Sequence, residues 1–224
     1  MTSAARRLVV VAALAVAPAA ARADRWRGGG SLALDLRYAQ YEVDDAVVTR
    51  ALTGGPRARA AVGTSALALA AGVDLGLGAS GDGDLVYRVA LLPIGAALQL
   101  GRTARLGFVA GGAIAGITGG TLPIAFALPV EAFAEISLGD HVRSAAWGRA
   151  SPLYGSDQRQ AGAPDAPFGD ELEIGLTLRW DRRRFEHGFA SGNGYQLGAT
   201  YGQEAGADVL GLLFGYSLDA AGPD

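Results

Sequence analysis

The chain has 224 residues and a formal net charge of −3, from 19 basic residues, all of them arginine, and 22 acidic ones; it has no cysteine. The acidic balance argues against nucleic acid as a partner, which needs a basic footprint, and the missing cysteines remove disulfide frameworks and thiol chemistry. Thirty-four glycines and only 18% charged residues are unusual for a soluble domain, where glycine is about 7% of residues.

Residues 1–23 open with Arg6 and Arg7, continue through an apolar run from Leu8 to Val16 and end on Ala21-Arg22-Ala23. A basic start, a short apolar stretch and a small-x-small site predict a secretory signal peptide, cleaved after Ala23. The apolar run is too short to span a bilayer as a helix. Residues 24–224 then form a single domain with 16 arginines against 22 carboxylates, a net charge of −6.

The rest of the chain alternates. SLALDLRY places Leu32, Leu34, Leu36 and Tyr38 on one face, with Asp35 and Arg37 on the other. ALALAAGVDLGLG sets Leu67, Leu69, Val73, Leu75 and Leu77 opposite Asp74, and LVYRVALL sets Tyr87, Val89 and Leu91 against Arg88. IAFALPVEAFAEISL aligns Ile124, Phe126, Leu128, Val130 and Ile136 against Glu131, Phe133 and Glu135. ELEIGLTLRW opposes Leu172, Ile174, Leu176, Leu178 and Trp180 to Glu171, Glu173 and Arg179, and YQLGATYG repeats the pattern with Tyr195, Leu197 and Tyr201. A period of two means β-strands. The 25 uncharged residues between Arg105 and Glu131 are long enough for a membrane helix, but six glycines, Pro123, Pro129 and the Thr-Gly-Gly-Thr break at 118–121 favour a hairpin.

Turns complete the topology. Gly101-Arg-Thr and Gly139-Asp140 are tight, whereas Ser151 to Asp170 is long, polar and rich in Pro and Gly. If the tight turns share one end of a barrel and the long linker lies at the other, an even number of strands precedes each tight turn. That requires an early strand at AVVTRAL, closed by Gly54-Gly55-Pro56. Ten strands result, at roughly 31–42, 45–53, 58–77, 84–101, 104–117, 121–138, 141–150, 170–181, 193–203 and 207–219; eight is the alternative if 45–53 is not a strand. The predicted fold is all-β, a closed antiparallel up-and-down barrel.

The less apolar face is mostly Ala, Gly, Ser and Thr with scattered charge, the composition of a crowded interior rather than of a solvated surface. Asp35, Asp74, Glu131, Glu135, Glu171 and Glu173 nearly balance Arg37, Arg88, Arg143, Arg149 and Arg179 there, as a lumen requires, because a lone buried ion is very costly. Trp180, Tyr38, Tyr195 and Tyr201 fall near strand ends, where aromatic girdles belong.

With its leader, alternating strands, tight turns and Gly-rich wall, the chain resembles the small bacterial outer-membrane β-barrels of the OmpA/OmpX type. That resemblance implies an outer-membrane location, membrane lipid and lipopolysaccharide as partners, and a structural or adhesive role or at most a narrow pore. A terminal aromatic residue is common in such barrels; here Phe214 and Tyr216 are followed by Ala220-Ala-Gly-Pro-Asp224, so a soluble periplasmic binding barrel stands as an alternative. A second alternative is enzymatic. Lipid A deacylases of the PagL type carry His-x-Ser-Asn and a downstream Glu; His187, Ser191 and Glu204 occur here in that order, but with three residues between His and Ser. On an extended strand that separation is about 13 Å, beyond hydrogen-bond reach. His141 reads as a turn residue and Arg182-Arg183-Arg184 as a solvated turn or a phosphate contact. Asp44-Asp45 and Asp82-Gly83-Asp84 supply too few ligands for calcium. No cofactor or metal motif is present.

Overall fold

The computed structural model describes residues 27–43, 46–64, 66–100, 103–118, 124–151, 154–156, 171–181, 185–186, 189–190, 192–204 and 207–221. Ten strands wind antiparallel, each hydrogen-bonded to its neighbours in sequence. They are β1 (Arg27–Val43), β2 (Ala46–Gly63), β3 (Leu67–Ser80), β4 (Leu85–Leu100), β5 (Ala104–Ile117), β6 (Val130–Ser137), β7 (Val142–Ala150), β8 (Glu171–Asp181), β9 (Gly192–Glu204) and β10 (Ala207–Ala221). β1 pairs with β10 from Arg27↔Ala221 to Tyr41↔Ala207, which closes the ten strands into a barrel. Short pieces prolong two strands: Ala125–Ala127 pairs with β5 and with Tyr154–Ser156 beyond β6 and β7. Phe185–Glu186 and Phe189–Ala190 form a two-stranded ribbon between β8 and β9.

Alternation survives closure along most strands. In β1, Leu32, Leu34, Leu36 and Tyr38 are exposed while Ala33, Asp35, Arg37 and Ala39 are buried. Among the described residues 33 large hydrophobic side chains are exposed, but only seven (Val86, Leu92, Val109, Ile117, Trp147, Val209 and Leu213) are buried. The barrel is therefore apolar outside and polar within. Trp180, Tyr195 and Tyr216 stand side by side across β8, β9 and β10, with Tyr195 and Tyr216 edge to face at 5.4 Å.

Two prolines inside strands are accommodated differently. In β4 the ladders pair Leu91 with Gly112 and Ile94 with Ala110, leaving two residues against one, so a bulge sits at Leu92-Pro93. It tolerates the missing N–H of Pro93 and moves the outward set from Tyr87, Val89 and Leu91 to Ile94 and Leu100, while Leu92 keeps the inward parity of Val86, Arg88 and Ala90. In β2 the expected break at Gly54-Gly55-Pro56 does not occur. The strand runs through these residues, which keep their register with β1, and no β3 partner is paired to Gly55 or Pro56. The strand ends instead at Gly63, and just beyond it the Thr64 hydroxyl accepts from the Leu67 N–H at 3.1 Å. Thus residues 58–63 belong to β2, not to the start of the third strand. The predicted hairpin arm 121–138 is likewise interrupted at Leu128-Pro129.

The leader 1–23, the centre of the 151–170 linker, Arg182 to Arg184, His187, Ser191 and Asp44-Asp45 lie outside the described residues.

Candidate functional site: the charged interior

Period-two geometry sends alternate residues of every strand into the lumen, and there the charged side chains gather into ion-paired clusters, the largest around Glu131. At its centre is Glu131 on β6. It accepts hydrogen bonds from Arg57 Nη2 at 3.0 Å, from Arg59 Nε at 2.9 Å and Nη2 at 2.7 Å, and from Arg149 Nη2 at 2.7 Å. Asp74 on β3 takes Arg59 Nη1 at 2.5 Å and also Arg149, with Arg88 Nη1 at 3.6 Å. Arg149 reaches Glu173 at 3.6 Å, and Arg37 joins Glu173 at 2.5 Å to Asp35 at 2.8 Å. Nearer the end where β1 begins, Glu135 accepts from Arg105 Nη2 at 2.7 Å and from Arg143 Nη1 at 3.3 Å, while Arg179 binds Asp181 at 2.7 Å. Arg149 is wholly buried, and Asp74 and Glu131 are nearly so.

Ten of the eleven residues expected in the lumen (Asp35, Arg37, Asp74, Arg88, Glu131, Glu135, Arg143, Arg149, Glu173 and Arg179) thus lie in these interior ion pairs. Glu171 opens β8, and its side chain is outside the described set. Arg57, Arg59, Arg105 and Asp181 were missed. Arg57 and Arg59 follow the glycine-proline stretch read as a turn, and their parity becomes visible only when β2 is seen to run through it. Arg105 and Asp181 continue the inward parity of Gly107 and Arg179 and could have been found by extending it.

Aromatic rings fill what the ion pairs leave. Trp147 lies across Gly175, its partner on β8, and Phe133 across Gly107, its partner on β5; a Cβ at either glycine would collide with the ring. The guanidinium of Arg57 stacks on Trp147, 3.7 Å from the ring centroid, and Arg105 sits 6.0 Å from that of Phe133. A cavity of about 130 Å³ remains beside these rings, reached by Gly29, Ser31, Ala145 and Thr177. At the opposite end Ala39, Ala51, Val86, Ile117 and Val209 pack as an apolar layer contributed by β1, β2, β4, β5 and β10.

Among the described residues no group of three or more His, Cys, Asp or Glu side chains is placed to hold a metal ion. His141 sits at the β6–β7 turn, its Nδ1 3.1 Å from the Asp181 carbonyl oxygen. The His187 and Ser191 pair falls outside the described residues, as stated above.

No family model and no curated protein matches the chain. Solved structures do align along most of it. The attachment invasion locus protein Ail of Yersinia pestis is 7% identical over 88% of this chain and 99% of its own, with a TM-score of 0.34. The outer membrane protease OmpT from Escherichia coli is 9% identical over 89% and 98%, with a TM-score of 0.38, and a mutant of Rh. blastica porin is 10% identical over 87% and 99%, with a TM-score of 0.25. The fold itself rests on the strand pairing: a closed, ten-stranded antiparallel barrel of the architecture to which the sequence had pointed.

Proposed function

We propose that the chain is a non-enzymatic outer-membrane β-barrel with a structural or adhesive role, or at most a narrow pore, and with membrane lipid as the partner of its wall. The observation that carries this reading is the inverted distribution of side chains. A leucine-sized side chain left in water forfeits about 1.5–3 kcal/mol of burial, and here 33 large hydrophobics among the described residues are exposed. Soluble monomers rarely expose contiguous apolar patches beyond a few hundred Å². A hydrocarbon solvent removes that conflict, and closure gives every one of the ten strands a neighbour on both sides, as a lipid environment demands. Most of the strands also exceed the 9–11 residues that a tilted transmembrane strand needs.

Fractionation of expressing cells tests this directly, because recovery in the soluble fraction would return the chain to the periplasmic alternative. The chain lacks cysteine, so Leu176→Cys gives a single labelling site on the outward face of β8. A fluorophore at 176 should be quenched by lipid-borne quenchers and resist aqueous ones. Immunity to the lipid quencher would refute the lipid-facing wall.

A further inference from the structure

We infer that the wall between β3 and β4 is a lateral portal, through which the end of a lipid hydrocarbon chain enters the cavity beside Trp147. This rests on the membrane reading above, since only a hydrocarbon surrounding supplies that ligand.

The first observation is where strand pairing lapses. The ladders β6–β7, β7–β8, β8–β9, β9–β10 and β10–β1 run unbroken over their paired lengths, and β1–β2 shifts only beyond Tyr41, near its tip. Every other lapse falls in four consecutive ladders, β2–β3 to β5–β6. The widest lies between β3 and β4. There Leu69 pairs with Ala96 and Gly72 with Leu92, so Ala70-Ala71 and Pro93-Ile94-Gly95 have no ladder partners across this seam. Pro93 has no N–H to offer, and a Cβ at Gly95 would fall 2.8 Å from the Ala70 carbonyl oxygen, so close backbone approach shuts the seam. A wall in lipid is held by its ladders, and local opening is easiest where backbone pairing is sparse. The second observation is that the cavity reaches this seam, where Ala70, Ala71 and Val109 line it. Ala71 shares the outward parity of Leu69 and Val73 and still lines the cavity, so β3 places nothing larger than methyl groups at that point. Inside, Ala70 and Val109 pack with Leu92 as one apolar cluster. The third is exposure: Leu69 at 70% and Ile94 at 68%, on the two sides of the seam, are the most exposed large hydrophobics among the described residues. They give the seam apolar lips toward lipid. An apolar cavity of about 150 Å³ takes up benzene, so one of about 130 Å³ holds a chain end of about six carbons.

The test uses the whole chain in phosphatidylcholine vesicles. Trp26→Phe and Trp180→Phe leave Trp147 as the reporter on the cavity wall. Palmitic acid brominated at its terminal carbon should quench it saturably. Leu69→Cys with Ala96→Cys places a disulfide across the seam at the last ladder pair before the lapse, in a chain with no other cysteine. Oxidation should abolish the saturable quenching and reduction should restore it. The same staple at Leu178→Cys with Leu197→Cys, on an unbroken ladder, should leave quenching unchanged. Ala71→Leu, which fills the seam and touches no ion pair, should also abolish it and serves if the cysteines do not oxidise; folding is checked by heat-modifiable gel migration. Absent or non-saturating quenching, or equal quenching with the seam stapled or filled, overturns the portal. A fluorophore at 176 quenched by lipid while Trp147 is untouched sinks the portal alone; if both are untouched, the membrane reading falls and the portal with it.

Discussion

Glu131→Gln is the sharpest probe of how the interior is held together. The substitution keeps shape and removes one charge. In the native protein that carboxylate accepts four hydrogen bonds of 2.7–3.0 Å from three arginines. Hydrogen bonds to charged groups contribute about 1.5–3 kcal/mol each, but the losses do not add. Glutamine retains one acceptor oxygen, Arg59 and Arg149 retain Asp74, and Arg149 retains Glu173. The better guide is the cost of removing one partner from a buried ionic group, about 3–5 kcal/mol, because Arg57, Arg59 and Arg149 all lose the charge they share at Glu131. Arg149→Met is the control. It removes a side chain that is completely buried, yet leaves Asp74 with Arg59 and Arg88, Glu131 with Arg57 and Arg59, and Glu173 with Arg37. Its cost should be about 1–2 kcal/mol, as for an ordinary destabilising change. Guanidinium unfolding from lipid vesicles, followed by tryptophan fluorescence and heat-modifiable migration, gives both values. The reasoning is refuted if Arg149→Met costs as much as Glu131→Gln, or if Glu131→Gln lies within about 0.5 kcal/mol of wild type, the range of an inert surface change.

Three other outcomes are expected. Leu176→Arg, on the lipid-facing wall, should cost about 2–4 kcal/mol in vesicle-embedded barrels if 176 lies near the bilayer midplane; a neutral result in the same titration would move it out of the hydrocarbon. Gly175→Ala should destabilise by about 1–3 kcal/mol, because the new methyl collides with the Trp147 ring and displaces it from Arg57; unchanged near-ultraviolet circular dichroism would show that the ring had not moved. Planar-bilayer recordings should give little or no steady conductance, since the ion pairs, Trp147 and Phe133 fill the lumen and an apolar layer packs at one end. Large stable channels would contradict that filling.

Class and strand count were legible in the residues themselves, because a period of two reports a local property, the alternation of side chains across a pleated backbone. Leu172 to Trp180 could be assigned to the outside and Glu173 and Arg179 to the inside without knowing what either touched. The location of breaks was not legible. Gly54-Gly55-Pro56 has the chemistry of a turn and lies within β2, since a lost N–H is tolerated where the neighbouring ladder is unpaired, and only the arrangement of β1 and β3 decides that. The Leu92-Pro93 bulge, which reverses the parity of β4, was hidden for the same reason. The charge census inherited both effects. Sequence alternation marked Asp74, Glu131 and Arg149 as inward, but their meeting joins β3, β6 and β7 across the lumen, a distance that no spacing along the chain encodes. That Arg57, Arg59, Arg105, Arg143 and Arg179 meet around one space beside Trp147 was decided by closure of the barrel, which brings β2, β5, β7 and β8 together.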